Sequence, residues 1–174
     1  MNKALEIIEA VWLLGIDVDK IDVLIHPESV VHSMVEFVDG SVIAQLGTPD
    51  MCVPIQYALT YPKRVKGIAE RVKFEELGSL TFEAPNLEVF RSLELGIKVA
   101  REGGSAPVVF NGANEAAVEA FLAGQIKFTS IMAFVERCVD EHEVSLCVTL
   151  EELLEADAWA RRKVGGLVSH KSIS

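Results

Sequence analysis

Three polar side chains near the start of the sequence have types and spacing that could hold an anion and a metal ion. Asn2, Lys3 and Glu6 occupy positions i, i+1 and i+4 of a predicted helix, so they point to one side of it. An amide and an ammonium can bind a phosphate, and a carboxylate can ligate a hard divalent cation. On these residues alone, a solvated first helical turn is the more common interpretation. Because the cluster has no lead-in sequence, we interpret the chain as one that begins within a larger site.

The helix that carries these side chains is predicted to run to about Leu14. Gly15 follows directly and suits its C-terminal cap, because glycine adopts the left-handed conformation without steric cost. The face away from the polar cluster is apolar with helical spacing, which predicts that it packs on a core. Its predicted stripe consists of Leu5, Ile8, Val11 and Trp12.

Three further candidate side chains follow the first helix. Residues 26–29 (HPES) are predicted to form a turn, because proline restricts the residue before it and removes a hydrogen-bond donor. Ser29 could donate to a ligand or bond its own turn. His32 lies on the next predicted strand, where a structural role and a catalytic role both stay open. Met51 begins a later helix, where a methionine is most often part of the core.

A β-hairpin is predicted from residue 30 to residue 46. Residues 30–38 and 41–46 alternate as strands on either side of Asp39-Gly40, a strong two-residue turn signal. Residues 23–25 are a short apolar run that we expect to enter a sheet. Both hairpin strands are nearly apolar on both faces. This predicts either a sheet covered on both sides or a sheet with one face in contact with a second subunit.

The second half of the chain is predicted to be helical. Asp50 can cap a helix over residues 51–60. Residues 63–85 show no regular spacing of apolar side chains, and we interpret them as a linker that crosses between the two regions. Residues 80–82 of that linker are expected to be pinned to a neighbouring segment. Four amphipathic helices follow, the first with an inward stripe that includes Phe90. Their predicted start signals are Asn86, Pro107, Thr129 or Ser130, and the capping box of Thr149 with Glu152.

These patterns predict an α+β fold. It comprises a partial mixed α/β piece with a β-hairpin, followed by a C-terminal four-helix bundle. The predicted domains are residues 1–61 for the mixed piece, 62–85 for the linker and 86–174 for the bundle. Polar residues on the bundle helices are expected to bond neighbouring segments rather than a ligand. They are Asn111, Asn114 and Glu115.

Composition excludes several classes of partner. The 174 residues can form one good core or two small units, and the net charge of −10 disfavours nucleic acid and anionic membranes. No apolar run approaches a membrane span, and no secretory signal opens the sequence. Cys52, Cys138 and Cys147 lack the CxxC spacing of a zinc site and number too few for a disulfide framework. They are expected to be reduced, buried thiols of a cytoplasmic protein.

Four segments in this order resemble the 1-deoxy-D-xylulose 5-phosphate reductoisomerase family. They are the Asn2-Lys3-x-x-Glu6 motif and residues 24–35 (LIHPESVVHSMV), 39–51 (DGSVIAQLGTPDM) and 110–118 (FNGANEAAV). This family comprises NADPH-dependent enzymes of the non-mevalonate isoprenoid pathway, and the resemblance covers essentially the whole chain. It implies conversion of 1-deoxy-D-xylulose 5-phosphate, through a rearranged aldehyde, to 2-C-methyl-D-erythritol 4-phosphate.

The resemblance also implies roles for individual residues. Asn2 and Lys3 match residues that contact the substrate phosphate, and Glu6 matches a ligand of the catalytic manganese or magnesium ion. Glu6 and His32 are the implied catalytic residues. Ser29 and His32 match residues near the substrate, and Met51 matches a methionine that packs beside the nicotinamide of NADPH.

Several parts of the family pattern are absent from this sequence. It has no glycine-rich strand-turn-helix for the dinucleotide, no upstream Asp-x-Glu for the metal, and no upstream serines or substrate flap. One carboxylate cannot hold Mg²⁺ or Mn²⁺ against water, because hard cations take several oxygen ligands. We therefore expect this chain to be the C-terminal part of the enzyme and to have little or no activity alone. We also expect a homodimer formed through the sheet, and the N-terminal part of the enzyme as a partner. The alternatives are a non-catalytic dimerisation module and one half of a split enzyme.

Overall fold

The computed structural model describes residues 1–146 and 148–171, and Cys147 therefore lies outside the described residues. The chain forms two compact units. The helical unit contains residues 1–23 together with the described residues from Asn86 onward. The hairpin unit contains Leu24–Pro85. The α+β class is confirmed, with a two-stranded antiparallel sheet in one unit and a helical bundle in the other.

The first helix, α1 (Asn2–Leu14), belongs to the helical unit. It ends at Gly15 as predicted, with a φ of 64° and the glycine N–H donating to the carbonyl of Val11 at 3.0 Å. The grouping differs from the predicted division, which placed residues 1–61 in one domain. The physical reason is that α1 buries its apolar face against the bundle. Assignment of residues 1–61 and 86–174 to the domains of a whole enzyme stays a prediction.

The buried face of α1 is set by Ala4, Ile7 and Ile8. This face is rotated from the predicted stripe, and the prediction that Trp12 lies inward is wrong because its side chain is exposed. The rotation follows from a close contact between α1 and α4 (Arg91–Glu102), in which Ala4 lies directly over Gly96. Packing at a small residue, rather than hydrophobicity alone, therefore decides which side of α1 faces the core.

The four predicted bundle helices are all present. They are α4, α5 (Ala106–Leu122), α6 (Phe128–Asp140) and α7 (Leu150–Lys171). Their core is mainly aliphatic and contains two buried aromatic rings, those of Phe110 and Phe134. Its most deeply buried large side chains are Phe110, Val99, Val109, Val135 and Val164.

Two of the predicted helix starts are confirmed. Pro107 lies in the first turn of α5. The Thr149–Glu152 capping box precedes α7, where the Thr149 N–H donates to Glu152 Oε2 at 2.7 Å and the Glu152 N–H donates to Thr149 Oγ1 at 3.3 Å. Both signals are local, which is why the sequence alone predicts them.

Two other start predictions are wrong. Asn86 accepts from the Val89 N–H in a separate turn, and α4 begins later, with Phe90 at its N-cap and exposed instead of inward. The third bundle helix begins at Phe128, ahead of the predicted cap, so Ser130 is buried inside it rather than capping it. In each case the start of the helix follows packing of its apolar face, which overrides the weaker polar signal.

The hairpin unit is built on β1 (Val31–Glu36) and β2 (Val42–Leu46), which pair antiparallel as predicted. The expectation that residues 23–25 enter a sheet is met only at Ile25. It makes a single antiparallel bridge with Glu83, and the turn over residues 26–29 separates it from β1. This bridge confirms that the segment around residues 80–82 is pinned to a neighbour.

The rest of the hairpin unit contains two short helices. In α2 (Cys52–Thr60) the first N–H donates to Asp50 Oδ1 at 2.8 Å, which confirms the predicted cap. The one-turn α3 (Phe74–Leu77) interrupts the segment predicted as linker. Among the described residues, no helix is both long and apolar enough to cross a membrane.

Ser29 closes the turn before β1 in an unusual backbone conformation. Its N–H donates to the His26 carbonyl at 3.1 Å, and its φ is 51°. It is the one non-glycine residue with positive φ in the part of the chain that the structure describes. Because a Cβ disfavours the left-handed region, the turn stores backbone strain at this serine.

We predict that Gly96→Ala destabilises the helical unit. The added Cβ would lie 2.5 Å from Ala4 Cβ and 3.0 Å from its Cα, so α1 must move away from α4. We expect a loss of about 1–3 kcal/mol in the free energy of unfolding, measured by urea denaturation. The matched control is Gly165→Ala in α7, which meets open space and should gain helix stability. Equal effects of the two substitutions would contradict the close packing of α1.

We predict that Ser29→Gly stabilises the protein relative to Ser29→Ala. Both variants remove the hydroxyl, but only glycine adopts a φ of 51° without the Cβ penalty. The difference should be about 1 kcal/mol in the free energy of unfolding. If the two variants unfold at the same urea concentration, the turn is not strained.

Candidate functional site

The polar side chains of α1 face solvent, opposite its buried stripe. Asn2, Lys3 and Glu6 are all exposed, while Ala4 and Ile7 are buried. The Lys3 ammonium donates to Glu6 Oε2 at 2.5 Å, and these side chains are 57% and 52% exposed. An exposed ion pair contributes little stability. The pair can therefore open when an anion binds the ammonium and a cation binds the carboxylate.

Glu6 supplies one oxygen ligand of the kind that magnesium or manganese prefers. Across residues 1–146 and 148–171, no three His, Cys, Asp or Glu side chains gather into a group that could hold a metal ion. A hard cation takes about six oxygen ligands, some of them water. Glu6 therefore fits as one oxygen ligand, and it does not form a complete metal site with other described residues.

His32 lies at an irregularity in the hairpin. Val31 pairs with Leu46 and Ser33 pairs with Gln45, so β1 has one residue more than β2 at this point. Such a bulge changes the direction of a side chain and is common beside active sites. The residue is exposed, and its imidazole makes no hydrogen bond within the described residues. The sequence alone gives no sign of this bulge.

Gly47 lies beside the His32 ring, at a distance where a Cβ would make ordinary van der Waals contact with it. A side chain at position 47 would begin 3.7 Å from His32 Nε2 and 3.4 Å from the amide nitrogen of Gln45. The glycine N–H donates to the carbonyl of Val30 at 2.9 Å, which fixes the chain beside the bulge. The exposed imidazole lies beside Gly47, and neither ring nitrogen is bonded within the described residues.

Ser29 and Met51, the other candidates of the hairpin unit, are also exposed. The Ser29 hydroxyl makes no hydrogen bond to any described residue, so the alternative that it bonds its own turn is wrong. Met51 precedes α2 with an exposed side chain, so it is not part of a core within this unit. The six candidates therefore divide between the units: three lie on α1, and three lie in the hairpin unit.

The described cysteines are not activated nucleophiles. The prediction that they are buried holds for Cys138 and is wrong for Cys52, which is exposed at the start of α2. Burial raises the pKa of the Cys138 thiol to about 11. A hydrogen bond to the Asp50 carboxylate raises the pKa of Cys52. Both groups are held as thiols, and neither has the lowered pKa of a reactive cysteine.

Polar residues of the bundle serve its packing. Glu115 forms an ion pair with Arg161, as predicted for a residue that bonds a neighbouring helix, and Arg161 also donates to Asp157 at 2.7 Å. The hydrogen bond from Arg161 lowers the pKa of Glu115. Asn111 donates to Glu115 on its own helix, and Asn114 is buried in the core.

A cluster around His26 was missed by the sequence reasoning, which took this residue as part of a turn. The His26 side chain is only 7% exposed, its Nδ1 lies 2.8 Å from the Thr81 carbonyl oxygen, and its ring stacks on Phe82 at 4.7 Å. Glu28 accepts from the Thr81 hydroxyl at 2.6 Å, which lowers the pKa of that carboxyl. These partners are more than 50 residues apart in sequence, so no spacing rule could reveal them.

Comparison with known proteins identifies the family. The model of the DXP reductoisomerase C-terminal domain matches residues 46–163. The chain is 52% identical over 168 residues to a 1-deoxy-D-xylulose 5-phosphate reductoisomerase of Desulforamulus reducens, covering 97% of this chain and 43% of that protein. It is 54% identical over 162 residues to that of Heliobacterium modesticaldum, covering 93% and 41%.

Solved structures show the same relation. The enzyme from Zymomonas mobilis in complex with NADPH superposes with a TM-score of 0.89 at 43% identity, covering 96% of this chain and 44% of that one. A reductoisomerase in complex with NADPH, fosmidomycin and magnesium superposes with a TM-score of 0.91 at 44% identity, covering 97% and 43%. The chain thus spans less than half the length of these relatives. By the family model, by sequence and by structure, it belongs to the 1-deoxy-D-xylulose 5-phosphate reductoisomerase family.

Proposed function

We propose that this chain is the C-terminal part of a cytoplasmic, NADPH-dependent reductoisomerase of isoprenoid biosynthesis. Its substrate is 1-deoxy-D-xylulose 5-phosphate and its product is 2-C-methyl-D-erythritol 4-phosphate. The observation that carries the proposal is the exposed Lys3–Glu6 pair on the outer face of α1, in a chain whose relatives at 52% identity bear that enzyme's name. An ammonium and a carboxylate one turn apart suit a substrate that carries a phosphate and chelates a metal.

Each residue of α1 has a defined role in this proposal. The Asn2 amide and the Lys3 ammonium bind the substrate phosphate, and Glu6 is one ligand of a magnesium or manganese ion. When bound, the metal supplies Lewis-acid polarisation of the substrate carbonyl and hydroxyl oxygens, and NADPH supplies the reducing hydride. Fixing the phosphate within one helical turn of the metal ligand orients the carbon skeleton for rearrangement.

The hairpin unit contributes the other side chains. Ser29 donates its free hydroxyl to a substrate oxygen, and His32 exchanges a proton with a substrate hydroxyl, for which its unbonded imidazole is suited. Met51 packs its exposed thioether beside the nicotinamide. An exposed methionine suits this contact because the thioether is apolar, polarisable and adaptable.

Activity depends on protein that this chain does not contain. Glu6 is a single carboxylate, and the described residues offer no group that completes a metal site. The metal and NADPH both require the N-terminal part of the enzyme, so the chain alone should have little or no activity. That part could be joined covalently or, in the split-enzyme alternative, be a separate chain.

A homodimer formed through the sheet is also proposed. Val35 and Ile43 are opposite each other in the register of β1 and β2, and so lie on one face of the hairpin. They are 58% and 65% exposed within the chain. A two-stranded sheet with apolar residues in solvent is a ready surface for pairing with a second copy. The same surface is what favours the alternative of a non-catalytic dimerisation module.

We predict that substitutions on α1 separate substrate binding from chemistry in the complete enzyme. Lys3→Ala should raise KM for the phosphorylated substrate about 10- to 100-fold, because it removes a charge-assisted hydrogen bond. Glu6→Gln should lower kcat about 100-fold or more, because Lewis-acid stabilisation is worth several kcal/mol. Both are measured by NADPH consumption with 1-deoxy-D-xylulose 5-phosphate.

The matched control for Glu6→Gln is Glu9→Gln, which changes an exposed carboxylate on the same helix and should leave the kinetics unchanged. The chain alone should consume no NADPH. Turnover by the isolated chain would contradict the need for an N-terminal part. Unchanged kinetics in both Lys3→Ala and Glu6→Gln would contradict the proposed roles of α1.

We predict that the double substitution Val35→Lys with Ile43→Lys converts a dimeric enzyme into monomers. Placing two ammonium groups on the apolar face of the hairpin puts like charges into the proposed interface, where they would be desolvated. Sedimentation equilibrium measures the change in mass. Leu122→Lys, on an exposed apolar site at the end of α5, is the control and should leave the mass unchanged. A double variant that stays dimeric would place the interface elsewhere.

A further inference from the structure

The imidazole of His26 is held in one orientation by its surroundings. Its Nδ1 lies 2.8 Å from the Thr81 carbonyl oxygen and 3.0 Å from Glu28 Oε2, and both of these atoms only accept hydrogen bonds. Nδ1 is therefore the protonated nitrogen. Nε2 is buried and has no partner among the described residues. The Nδ1–H therefore ties the ring to residue 81 of the facing segment.

The turn over residues 26–29 is bonded to Thr81 through a second side chain, that of Glu28. Glu28 accepts from the Thr81 hydroxyl at 2.6 Å and from the Thr81 N–H at 3.2 Å. The ring of His26 stacks on Phe82 with an interplanar angle of 17°, and Ile25 pairs with Glu83. Both ends of the turn are thus tied to one short stretch of chain, by polar contacts and by ring stacking.

These contacts hold Ser29 in a strained backbone conformation. Ser29 ends the turn with a φ of 51°, a conformation that a non-glycine residue keeps only where its surroundings determine it. Its exposed hydroxyl makes no hydrogen bond within residues 1–146 and 148–171, so nothing in this part of the chain uses it. Such outliers recur at ligand-binding positions, where the strain fixes the direction of a side chain.

We propose that His26 is a positioning residue for substrate binding. Its ring, bonded to Thr81 and stacked on Phe82, fixes the turn that directs the Ser29 hydroxyl at an oxygen of the sugar phosphate. This inference rests on the proposed function, in which Ser29 binds the substrate. It adds a side chain that acts only through Ser29, without contact with the substrate or the reacting atoms.

A double-mutant cycle in the complete enzyme tests the proposal. His26→Phe keeps the stacking ring and removes the Nδ1 donor, and Ser29→Ala removes the hydroxyl. Each should raise KM for 1-deoxy-D-xylulose 5-phosphate about 3- to 10-fold, as expected for one lost hydrogen bond, with KM for NADPH unchanged. Because His26 acts through Ser29, the double variant should have the KM of Ser29→Ala alone.

Two further variants separate positioning from stability. His26→Asn keeps an N–H donor near the place of Nδ1 and should restore much of the wild-type KM. The control is His142→Phe in the helical unit, where a partly buried histidine is also bonded, at 2.7 Å, to the hydroxyl of Ser105. It should lower the melting temperature without changing KM.

Thr81→Val keeps the proposal testable if His26→Phe does not fold. It removes the Glu28–Thr81 hydroxyl bond from the same turn and should raise KM in the same way, again without effect in the Ser29→Ala background. A wild-type KM in folded His26→Phe, or additive effects in the cycle, would overturn the positioning role and leave the proposed function intact. A wild-type enzyme without turnover, or Ser29→Ala with unchanged KM, would overturn the proposed role of Ser29 and this inference with it.

Discussion

The close approach of Ala4 to Gly96 is the contact on which the arrangement of the helical unit depends. At position 96 a Cβ would collide with α1, so glycine permits the two helices to meet at backbone distance. This contact joins the first 23 residues to a bundle that begins some 60 residues later in the chain. It also fixes the rotation of α1, and that rotation leaves Lys3 and Glu6 on the outer face. One small residue therefore sets both the packing and the chemistry of this helix.

The two charged candidate side chains of α1 pair with each other in the absence of ligands. Lys3 and Glu6 form an exposed ion pair, so the two charges balance each other while both stay in contact with water. A substrate phosphate and a metal ion would replace this weak pair with two stronger interactions of the same signs. The net charge of −10 makes such pairing useful, because an unpaired carboxylate would add to the repulsion of an anionic substrate.

Most local signals were predictable from the sequence, although the helix starts at Asn86 and at Thr129 or Ser130 were not, and distant contacts were missed. Gly15, Asp50 and the Thr149–Glu152 box act within one helical turn, and each is found where it was predicted. Trp12 was placed on the wrong side because the rotation of α1 depends on Gly96, a residue of another helix. The resemblance indicated Ser29 and His32 as site residues, but the backbone features that present them depend on pairing with β2 and on contacts with residues 81–83.

The hairpin unit has two backbone irregularities, one on each side of Val30. Ser29 has left-handed backbone geometry, and His32 is the extra residue of a bulge, so the alternation that predicts a regular strand fails at both positions. Each departure costs free energy that a regular strand would not lose, and long-range contacts must compensate for it. Proteins tend to break local rules where function requires a particular direction of a side chain. The two irregular positions are three residues apart, and each bears a polar group that makes no hydrogen bond in the described chain. Together they argue more strongly for a binding surface than the identity of either residue does.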